Sequence, residues 1–201
     1  MRRVAAFAAF SEKHVGKYLD LPVEASEKGF ATMLKLGMKI PDWESKAGTV
    51  MWVMELSEVA NMSDKDLEEI DDRVTLRFFW FVFLAALFDE KACKYGTMFI
   101  QVYRDVDFSK IMKFSSRFKG VEEEMKVLFY ECAAFKMHSA VLVDPPWWAN
   151  FLIAIARVFM TKEMSNKIVS TDIPGVIQYV GGKDHLPQRI GNREYVGRYF
   201  K

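Results

Sequence analysis

The hydrophobic positions of this chain fall into strand-length runs that alternate with longer amphipathic segments. Thr49 to Leu56 is β-branched and apolar with almost no alternation, which predicts a strand buried on both faces of a sheet. Thr97 to Tyr103 and Ala140 to Val143 predict two further strands. The last run ends at Asp144-Pro145-Pro146, because proline cannot donate a hydrogen bond to a neighbouring strand. Strands that alternate with helices predict an α/β fold with a largely parallel sheet and right-handed crossovers.

Helices are predicted between these strands. The first runs from Ser63 to Gly96, since Ser63 and Asp66 have the spacing of a helix start, acidic residues follow, and lysines precede the glycine that can end it. The second runs from Glu122 to Met137. Its apolar face has the spacing of an amphipathic helix and comprises Met125, Leu128, Phe129 and Cys132.

A third helix is predicted over Trp147 to Met160, and it is apolar on nearly every side. Only Asn150 and Arg157 interrupt the run. Viewed alone, such a segment is typical of a buried core helix. The longest apolar run, Leu76 to Phe88, is shorter than the roughly 20 residues that cross a bilayer, so a core helix is predicted there as well.

Residues 1 to 47 predict a short, mainly helical N-terminal segment. The tract from Pro41 to Gly48 predicts the turn into a main domain of residues 48 to 201. The apolar stretch Val4 to Phe10 follows two arginines, but it is at the lower limit for a signal peptide and no good cleavage site follows it. We therefore predict a cytoplasmic protein.

The composition adds two constraints. The chain has 201 residues, of which 51% are hydrophobic and 27% are charged, and this predicts one folded domain with a substantial core. Its 17 Phe, 7 Tyr and 5 Trp supply more ring surface than a modest core requires. The formal net charge is only +1, so no overall field attracts nucleic acid.

The sequence pattern offers no candidate catalytic or metal-binding group. Cys93 and Cys132 are widely separated in helix-like segments, which predicts reduced, buried thiols. His14, His138 and His185 lie far apart and without a carboxylate cluster. No nucleophile elbow, phosphate loop or dinucleotide fingerprint occurs. We therefore predict that the protein is not an enzyme and holds neither a metal nor a cofactor.

The motifs of the C-terminal half occur in a recognisable order. The strand that ends at Asp144-Pro145-Pro146 precedes the apolar helix, Thr161, Lys167-Ile168 and the segment Leu186 to Asn192. This order and spacing resemble the CRAL-TRIO lipid-binding family, the family of cellular retinaldehyde-binding protein and the α-tocopherol and phosphatidylinositol transfer proteins. That family has a strand ending in Asn-x-Pro, a long apolar helix, a Thr, a Lys-Ile or Arg-Ile strand, and Leu-Pro-x-x-Tyr-Gly-Gly. The resemblance covers roughly residues 48 to 192.

Three departures from the family pattern bear on the ligand. Asp144 replaces Asn, Ile190-Gly191-Asn192 replaces Tyr-Gly-Gly, and Ala133 to Lys136 replaces Tyr-Pro-Glu-Arg. The Glu of that motif contacts inositol in phosphatidylinositol-binding members, and Phe135 in its place argues against phosphatidylinositol specificity. Lys167 corresponds to the family's basic residue that helps bind phospholipid head groups. The resemblance therefore implies a phosphate contact at Lys167, with a solvated surface lysine as the alternative.

The resemblance implies that the sheet forms the floor of an apolar lipid pocket and that Trp147 to Met160 is a mobile gate over it. Alternate strand residues share a face and would line the pocket, with ordinary packing between sheet and helix as the alternative. A stripe along the gate helix would face the ligand, and two adjacent tryptophans suit a boundary between water and lipid. The expected lipid-binding residues are Phe99, Gln101, Tyr103, Ala140, Leu142, Trp148, Phe151, Ile155, Phe159 and Lys167.

The implied function is binding of one hydrophobic lipid, a phospholipid or an isoprenoid-type lipid, and its transfer between membranes without bond chemistry. The expected partners are the lipid ligand and a transient membrane surface, with no nucleic acid, and the protein would be cytoplasmic and peripheral at membranes. The basic stretches Lys110 to Lys119 and Lys183 to Lys201 are either solvated faces or contacts to anionic lipid. Two alternatives remain open. One is an interaction or membrane-targeting module whose pocket is filled by its own side chains, and the other is a small α/β enzyme, which the missing nucleophile and base disfavour.

Overall fold

A five-stranded sheet, with its strands side by side in chain order, forms the centre of the fold. The computed structural model describes residues 2–14, 29–35, 38–104, 106–132, 136–159, 161–191, 194 and 197–199. The strands are β1 Met38–Lys39, β2 Val50–Glu55, β3 Thr97–Val102, β4 Met137–Val143 and β5 Ile168–Thr171. Strands β2 to β5 are parallel to one another, and the short β1 runs antiparallel along β2. The predicted α/β fold with a largely parallel sheet is therefore confirmed.

Helices precede, connect and follow the strands. Their bounds are α1 Arg2–His14, α2 Phe30–Lys35, α3 Leu56–Ala60, α4 Asp64–Glu68, α5 Asp72–Leu87, α6 Glu90–Tyr95, α7 Phe108–Ser115, α8 Glu122–Val127, α9 Trp147–Phe159, α10 Lys162–Asn166 and α11 Ile173–Val180. Turns of 3-10 helix lie at Ser116–Val121 and Lys183–His185, and a π-helical turn lies at Leu128–Cys132.

The single helix predicted from Ser63 to Gly96 is wrong, because this stretch forms α4, α5 and α6. Ser63 does begin α4 through the expected pair: the Asp66 N–H donates to the Ser63 hydroxyl, and the Ser63 N–H donates to the Asp66 carboxylate. Two further aspartates, Asp71 and Asp89, accept hydrogen bonds from backbone N–H groups of α5 and α6. An aspartate that caps the following turn adopts an extended conformation itself, so each one interrupts the helix. Gly96 ends α6 at a φ of +83°, a backbone conformation that residues with a Cβ rarely adopt.

The helix predicted from Glu122 to Met137 is shorter than expected. It consists of α8 and the π-helical turn at Leu128–Cys132. The strand that follows begins at Met137 rather than at Ala140, so β4 has three more residues at its amino end than the apolar run predicts. The buried positions at both ends of the π-helical turn agree with the predicted apolar face.

The two cysteines have different environments. Cys132 is buried, and burial together with the nearby Glu131 raises the pKa of its thiol to about 11. Cys93 is exposed, so the prediction of two buried thiols is wrong for this residue. Both cysteines are free thiols, as the sequence predicts.

The sheet separates two hydrophobic cores. The larger core lies on the side of α5, where Trp52 of β2 meets Phe83 edge to face with ring centroids 5.6 Å apart. The smaller core lies on the opposite face, beneath α11. Successive residues of a strand point to opposite faces, so each central strand contributes to both sides. The strand and helix residues of the smaller core include Met51, Met98, Ile100, Val141, Val143, Val176 and Val180.

Helices α1 and α2 pack into the larger core. Phe7 and Phe10 of α1 and Phe30 and Met33 of α2 are buried there. Strand β1 follows them, so the N-terminal segment contains a strand as well as helices where it is described. The boundary between residues 47 and 48 stays a prediction.

The residues near the C-terminus are held by a cluster that we call the Arg198 clamp, made of Arg198, Asp89 and Glu44. The Arg198 guanidinium lies 2.8 Å from the Asp89 carboxylate and 2.5 Å from the Glu44 carboxylate, and it also donates to the Pro41 carbonyl. Burial alone would raise the pKa of Asp89, but hydrogen bonds from the Ala92 N–H and from Arg198 hold that pKa below its ordinary value.

Candidate functional site

The two faces of the sheet differ in exposure. On the face toward α11, Met98, Ile100 and Val141 of the central strands are buried. On the opposite face, Phe99 and Gln101 remain partly exposed. Central strands of a parallel sheet are normally covered on both faces. This second face also carries the larger core, against which Phe99 and Tyr103 pack. Its part over β3 and β4 is less completely covered than the face toward α11, and we call this part the open face.

The structure brings the five predicted floor residues together on the open face. Phe99 pairs with Ala140, and Gln101 pairs with Leu142, across β3 and β4. Paired residues of neighbouring strands point to the same side of the sheet, and Tyr103 continues the alternation just beyond β3. Leu142 is buried, and the other four are partly exposed.

A polar pair lies at the carboxyl end of β3. The Tyr103 hydroxyl donates to the Gln101 side-chain oxygen at 3.0 Å. The Tyr103 ring meets Trp148 of α9 edge to face at 6.0 Å, and the Trp148 ring lies 5.3 Å from the ring of Phe108 on α7. Burial raises the pKa of Tyr103, so its hydroxyl is neutral near pH 7. This corner of the open face therefore joins aromatic walls to two uncharged hydrogen-bonding groups.

Helix α9 runs from the carboxyl edge of the sheet back toward the amino end of β5. Trp148 near its start contacts Tyr103, and Arg157 near its end donates to the backbone carbonyl of Ile168 at 2.9 Å. Its 13 residues span about 20 Å. The helix is thus long enough to extend along the strands that form the open face.

Most of the described apolar side chains of α9 face solvent. Trp147 is 80% exposed and Phe151 is 59% exposed, and Leu152 and Ile155 are exposed as well. Ala149 is the buried residue of this helix among those whose side chains are described. This exposure contradicts the interpretation of the segment as a core helix. The remaining residue of the predicted gate stripe, Phe159, belongs to α9, but its side chain lies outside the described residues.

The turn that connects β4 to α9 contains a non-glycine residue with positive φ. Asp144 has a φ of +49°, and its N–H donates to the Thr171 carbonyl at 2.8 Å. Aspartate and asparagine tolerate this left-handed conformation better than other residues with a Cβ. The position therefore suits the Asp found here as well as the Asn of the family motif.

Helix α7 supplies functional candidates that the sequence argument missed. Phe108 and Met112 are exposed on it, and Phe108 touches Trp148 of α9. The two helices therefore present neighbouring apolar surface. The spacing of Phe108, Ile111 and Met112, which is i, i+3 and i+4, was the available signal. The basic residues of the same stretch, Lys110 to Lys119, are the more conspicuous feature of the sequence.

Lys167 lies at the other end of the floor. It directly precedes β5, and its ammonium is 2.8 Å from the Glu163 carboxylate of α10. The Lys167 carbonyl accepts from the Ala140 N–H, which places the residue near the amino-terminal edge of the open face. The proposed contact between Lys167 and a phosphate stays a prediction, and in the structure its charge is balanced by Glu163.

Two further observations concern metal sites and membrane spans. Within the described part of the chain, no group of three or more His, Cys, Asp or Glu side chains is placed to hold a metal ion. None of the described helices combines the length and the apolar character that crossing a membrane requires.

Comparisons with known proteins agree with this architecture. The sequence profile of the CRAL/TRIO domain matches residues 40–191, most of the chain. Among solved structures, the one described as "Crystal structure of Sfh5" superposes with a TM-score of 0.54 at 13% sequence identity, over 88% of this chain and 65% of that chain. This chain thus spans about two thirds of the length of that protein, and at this identity the likeness shows the fold alone. No characterised protein matches by sequence. The extent of the profile match shows that the chain belongs to the CRAL/TRIO domain family.

Proposed function

We propose that this protein binds one hydrophobic lipid between the open face of the sheet and α9, and exchanges it at membrane surfaces without bond chemistry. CRAL/TRIO proteins are generally lipid-binding and lipid-transfer proteins rather than enzymes. The observation that carries the proposal for this chain is the partial exposure of Phe99, Gln101 and Ala140 in central strands. An apolar ligand can occupy the space that the protein's own side chains leave above them.

The hydrophobic effect would supply most of the affinity. Each methylene removed from water contributes about 0.8 kcal/mol, so ten buried methylenes contribute about 8 kcal/mol before the cost of ordering the ligand. The rings of Phe99, Tyr103 and Trp148, of which the last two are in contact, offer flat apolar surface for such a chain.

The exposed side chains of α7 and α9 support the membrane part of the proposal. Trp148 of α9 contacts Phe108 of α7, and each of these two touching helices carries further exposed apolar side chains, Trp147 and Phe151 on α9 and Met112 on α7. Helix α7 also carries lysines, and an exposed apolar surface beside lysines is typical of membrane contact. If α9 moves into the bilayer, the same movement uncovers the open face, and membrane binding and lipid exchange are then coupled.

The alternative of a self-filled pocket predicts a different sheet. If the protein's own side chains occupied the space, the middle of the open face would be as buried as Met98 and Ile100 on the other side. Phe99 and Ala140 instead remain partly exposed. This difference favours the carrier over the interaction module.

The proposal is tested by filling the space with a side chain. In Ala140→Trp, an indole replaces a methyl group on the open face, and lipid binding should be lost. Ala8→Trp is the matched control, because Ala8 lies on the exposed side of α1. The three proteins are incubated with vesicles of total cellular lipid, re-isolated, and analysed by native mass spectrometry.

We expect a stoichiometric lipid adduct on the parent protein and on Ala8→Trp, and none on Ala140→Trp. Protein purified from a lipid-containing host should also retain a lipid, because a bound ligand stabilises the folded state. A parent protein that never carries lipid, and whose melting temperature no lipid raises, would overturn the carrier proposal in favour of the interaction module.

A further inference from the structure

We propose that a groove on the α11 side of the sheet binds an acidic and apolar peptide segment of a partner protein. The groove lies between α11 and the segment 183–191 and has a volume of about 490 Å³. It is at the carboxyl edge of the sheet, because Arg189 on one wall contacts Glu55 at the end of β2, and Ile173 on the other begins α11 just after β5. The proposal goes beyond the lipid function, since none of the lining residues belongs to the open face or to α9.

Both walls of the groove are fixed in place by the fold. Helix α11 begins at Asp172, whose carboxylate accepts an N–H from the first turn at 2.8 Å, and it ends at Gly181, which has a φ of +96°. The other wall is held through His185, whose carbonyl accepts from the Trp43 indole N–H at 3.0 Å and whose Nδ1 lies 2.8 Å from the Glu44 carbonyl. The groove is therefore preformed, and little ordering of the protein opposes binding.

The floor of the groove is apolar and incompletely covered. Ile173 and Ile177 are one helical turn apart on α11, and both remain partly exposed although they pack against the smaller core. Ile190 on the opposite wall is buried, and Pro174 adds exposed apolar surface at the rim. This strip offers a seat for an aromatic or aliphatic side chain of a partner.

The charged residues among those that line the groove, Lys183 and Arg189, are both cations. Lys183 is exposed, and its ammonium has no hydrogen-bond or ion-pair partner within the described part of the chain. The lining contains no carboxylate of its own. The groove is therefore complementary to a ligand that carries negative charge.

Arg189 is held in position by two carboxylates through a single nitrogen. Its Nη1 lies 3.3 Å from the Glu55 carboxylate and also contacts the Glu58 carboxylate. Glu55 is buried, and Lys39 pairs with its other oxygen at 2.8 Å, so Glu55 is a fixed anchor. The remaining nitrogens of Arg189, Nη2 and Nε, have no partner among the described residues. Because the Arg189 side chain is 56% exposed, these N–H groups form a free fork that matches the two oxygens of a carboxylate.

The apolar floor and the two cations together define the occupant. An extended segment with acidic residues beside aromatic or aliphatic ones places carboxylates at Lys183 and Arg189 and an apolar side chain on the isoleucines. A peptide is favoured over a lipid because the groove is an open trough, whereas a hydrocarbon chain needs enclosure to leave water. The groove faces away from the open face, so a partner can stay bound while α9 contacts a membrane.

The test selects peptides on the folded protein. A phage library of random peptides is panned on the parent protein, the enriched peptides are synthesised with a fluorescein label, and their dissociation constants are measured by fluorescence anisotropy. We expect the enriched sequences to carry Asp or Glu beside an aromatic or aliphatic residue. Lys183→Glu should weaken their binding by about ten- to one-hundred-fold, the range of one charge-assisted hydrogen bond. Arg189→Lys keeps the charge but lacks the fork, and it should also weaken binding.

Lys162→Glu is the matched control, because Lys162 is exposed on α10 and does not line the groove. This variant should bind the peptides as the parent does, and Lys183→Glu should keep the melting temperature and the lipid adduct of the parent. Ala140→Trp should lose lipid but still bind the peptides. A parent protein that binds the peptides and never carries lipid leaves this inference standing and overturns only the proposed function.

Four results would overturn the inference. In the first, no peptide is enriched over a parallel panning on Lys183→Glu, and in the second the enriched peptides bind Lys183→Glu as tightly as the parent. In the third, oleate below its critical micelle concentration displaces every selected peptide and binds more tightly, which makes the occupant a fatty acid. In the fourth, the parent forms a dimer that Lys183→Glu dissociates, which makes the occupant a second copy of this chain.

Discussion

Removing the two most exposed aromatic side chains of α9 should weaken membrane binding without weakening the fold. Trp147 is 80% exposed and Phe151 is 59% exposed, so the double variant Trp147→Ala, Phe151→Ala deletes little packing in the closed protein. We expect its free energy of unfolding to stay within about 1 kcal/mol of the parent value, as for other surface substitutions. In a core helix, the same two changes would each cost about 3 to 5 kcal/mol.

The size of the membrane effect follows from the exposed area. Aromatic side chains present about 150 to 250 Å² each, so these two expose roughly 300 Å² between them. At about 25 cal/mol per Å², complete burial of that area in lipid contributes roughly 7 kcal/mol. A helix lying in the interface buries only about one side of its surface in lipid, so the two side chains should contribute roughly 3 to 4 kcal/mol to membrane binding. Their removal should therefore lower the partition constant a few hundred-fold.

The assay measures partitioning and stability on the same samples. Co-sedimentation with vesicles gives the partition constant, and urea denaturation gives the free energy of unfolding. Phe83→Ala is the control for core packing, because Phe83 is 1% exposed, and it should lose about 3 to 5 kcal/mol of stability. The reasoning about α9 is refuted if the double variant is destabilised as strongly as Phe83→Ala, or if its partition constant equals that of the parent. Tryptophan emission of the parent should also shift to shorter wavelength on adding vesicles, since Trp147 passes from water into lipid.

Two further predictions concern the fold. Replacing Arg198 by Met should lower the stability by about 2 kcal/mol at pH 7, measured by urea denaturation, because two partly buried carboxylates lose their partner. The folded-state pKa of Asp89 is lowered, so the clamp stabilises the protein fully above the unfolded pKa near 4, and this stabilisation is lost as the pH falls through the folded-state pKa. The difference in the free energy of unfolding between parent and variant should therefore shrink below pH 4. A difference that stays constant from pH 7 to 3 would contradict this account. At Asp144, whose φ is +49°, Asn should leave stability unchanged and Val should lower it by about 1 to 2 kcal/mol, and equal effects of the two would show that the backbone conformation does not matter.

The parallel sheet could be predicted because a strand that is buried on both faces is a nearly continuous run of apolar residues. Val50 to Glu55 is almost entirely apolar, and its position matches the predicted strand to within one residue at each end. Strand β4 was harder to bound, because exposed His138 interrupts the apolar pattern at its amino end. Helix α11 is not among the predicted helices, because the Pro174-Gly175 dipeptide in its first turn is also typical of a loop. Both residues are nevertheless compatible with the first turn of a helix.

Only the strand residues of the candidate site could be predicted, because side chains alternate between the two faces of a strand. The spacing of Phe99, Gln101 and Tyr103 was enough to place these residues on one face, because a strand has a period of two. The ion pair between Lys167 and Glu163 has ordinary helical spacing, and nothing in the sequence shows that it forms instead of a phosphate contact. The exposure of α9 was also hidden, because an apolar helix in a core and an apolar helix at a membrane have the same composition.

The Arg198 clamp has a consequence for the order of folding. Arg198 is separated from Asp89 by 109 residues and from Glu44 by 154 residues, so its contacts are among the most distant along the chain. During synthesis, every strand emerges from the ribosome before residue 198 does, and until then Glu44 and Asp89 face each other without a countercharge. Contacts between distant residues also form slowly. Until the clamp closes, the β1 edge of the sheet therefore lacks the contacts that Arg198 makes to Ile40 and Pro41, and in that interval the folding protein is most open to aggregation and to capture by chaperones.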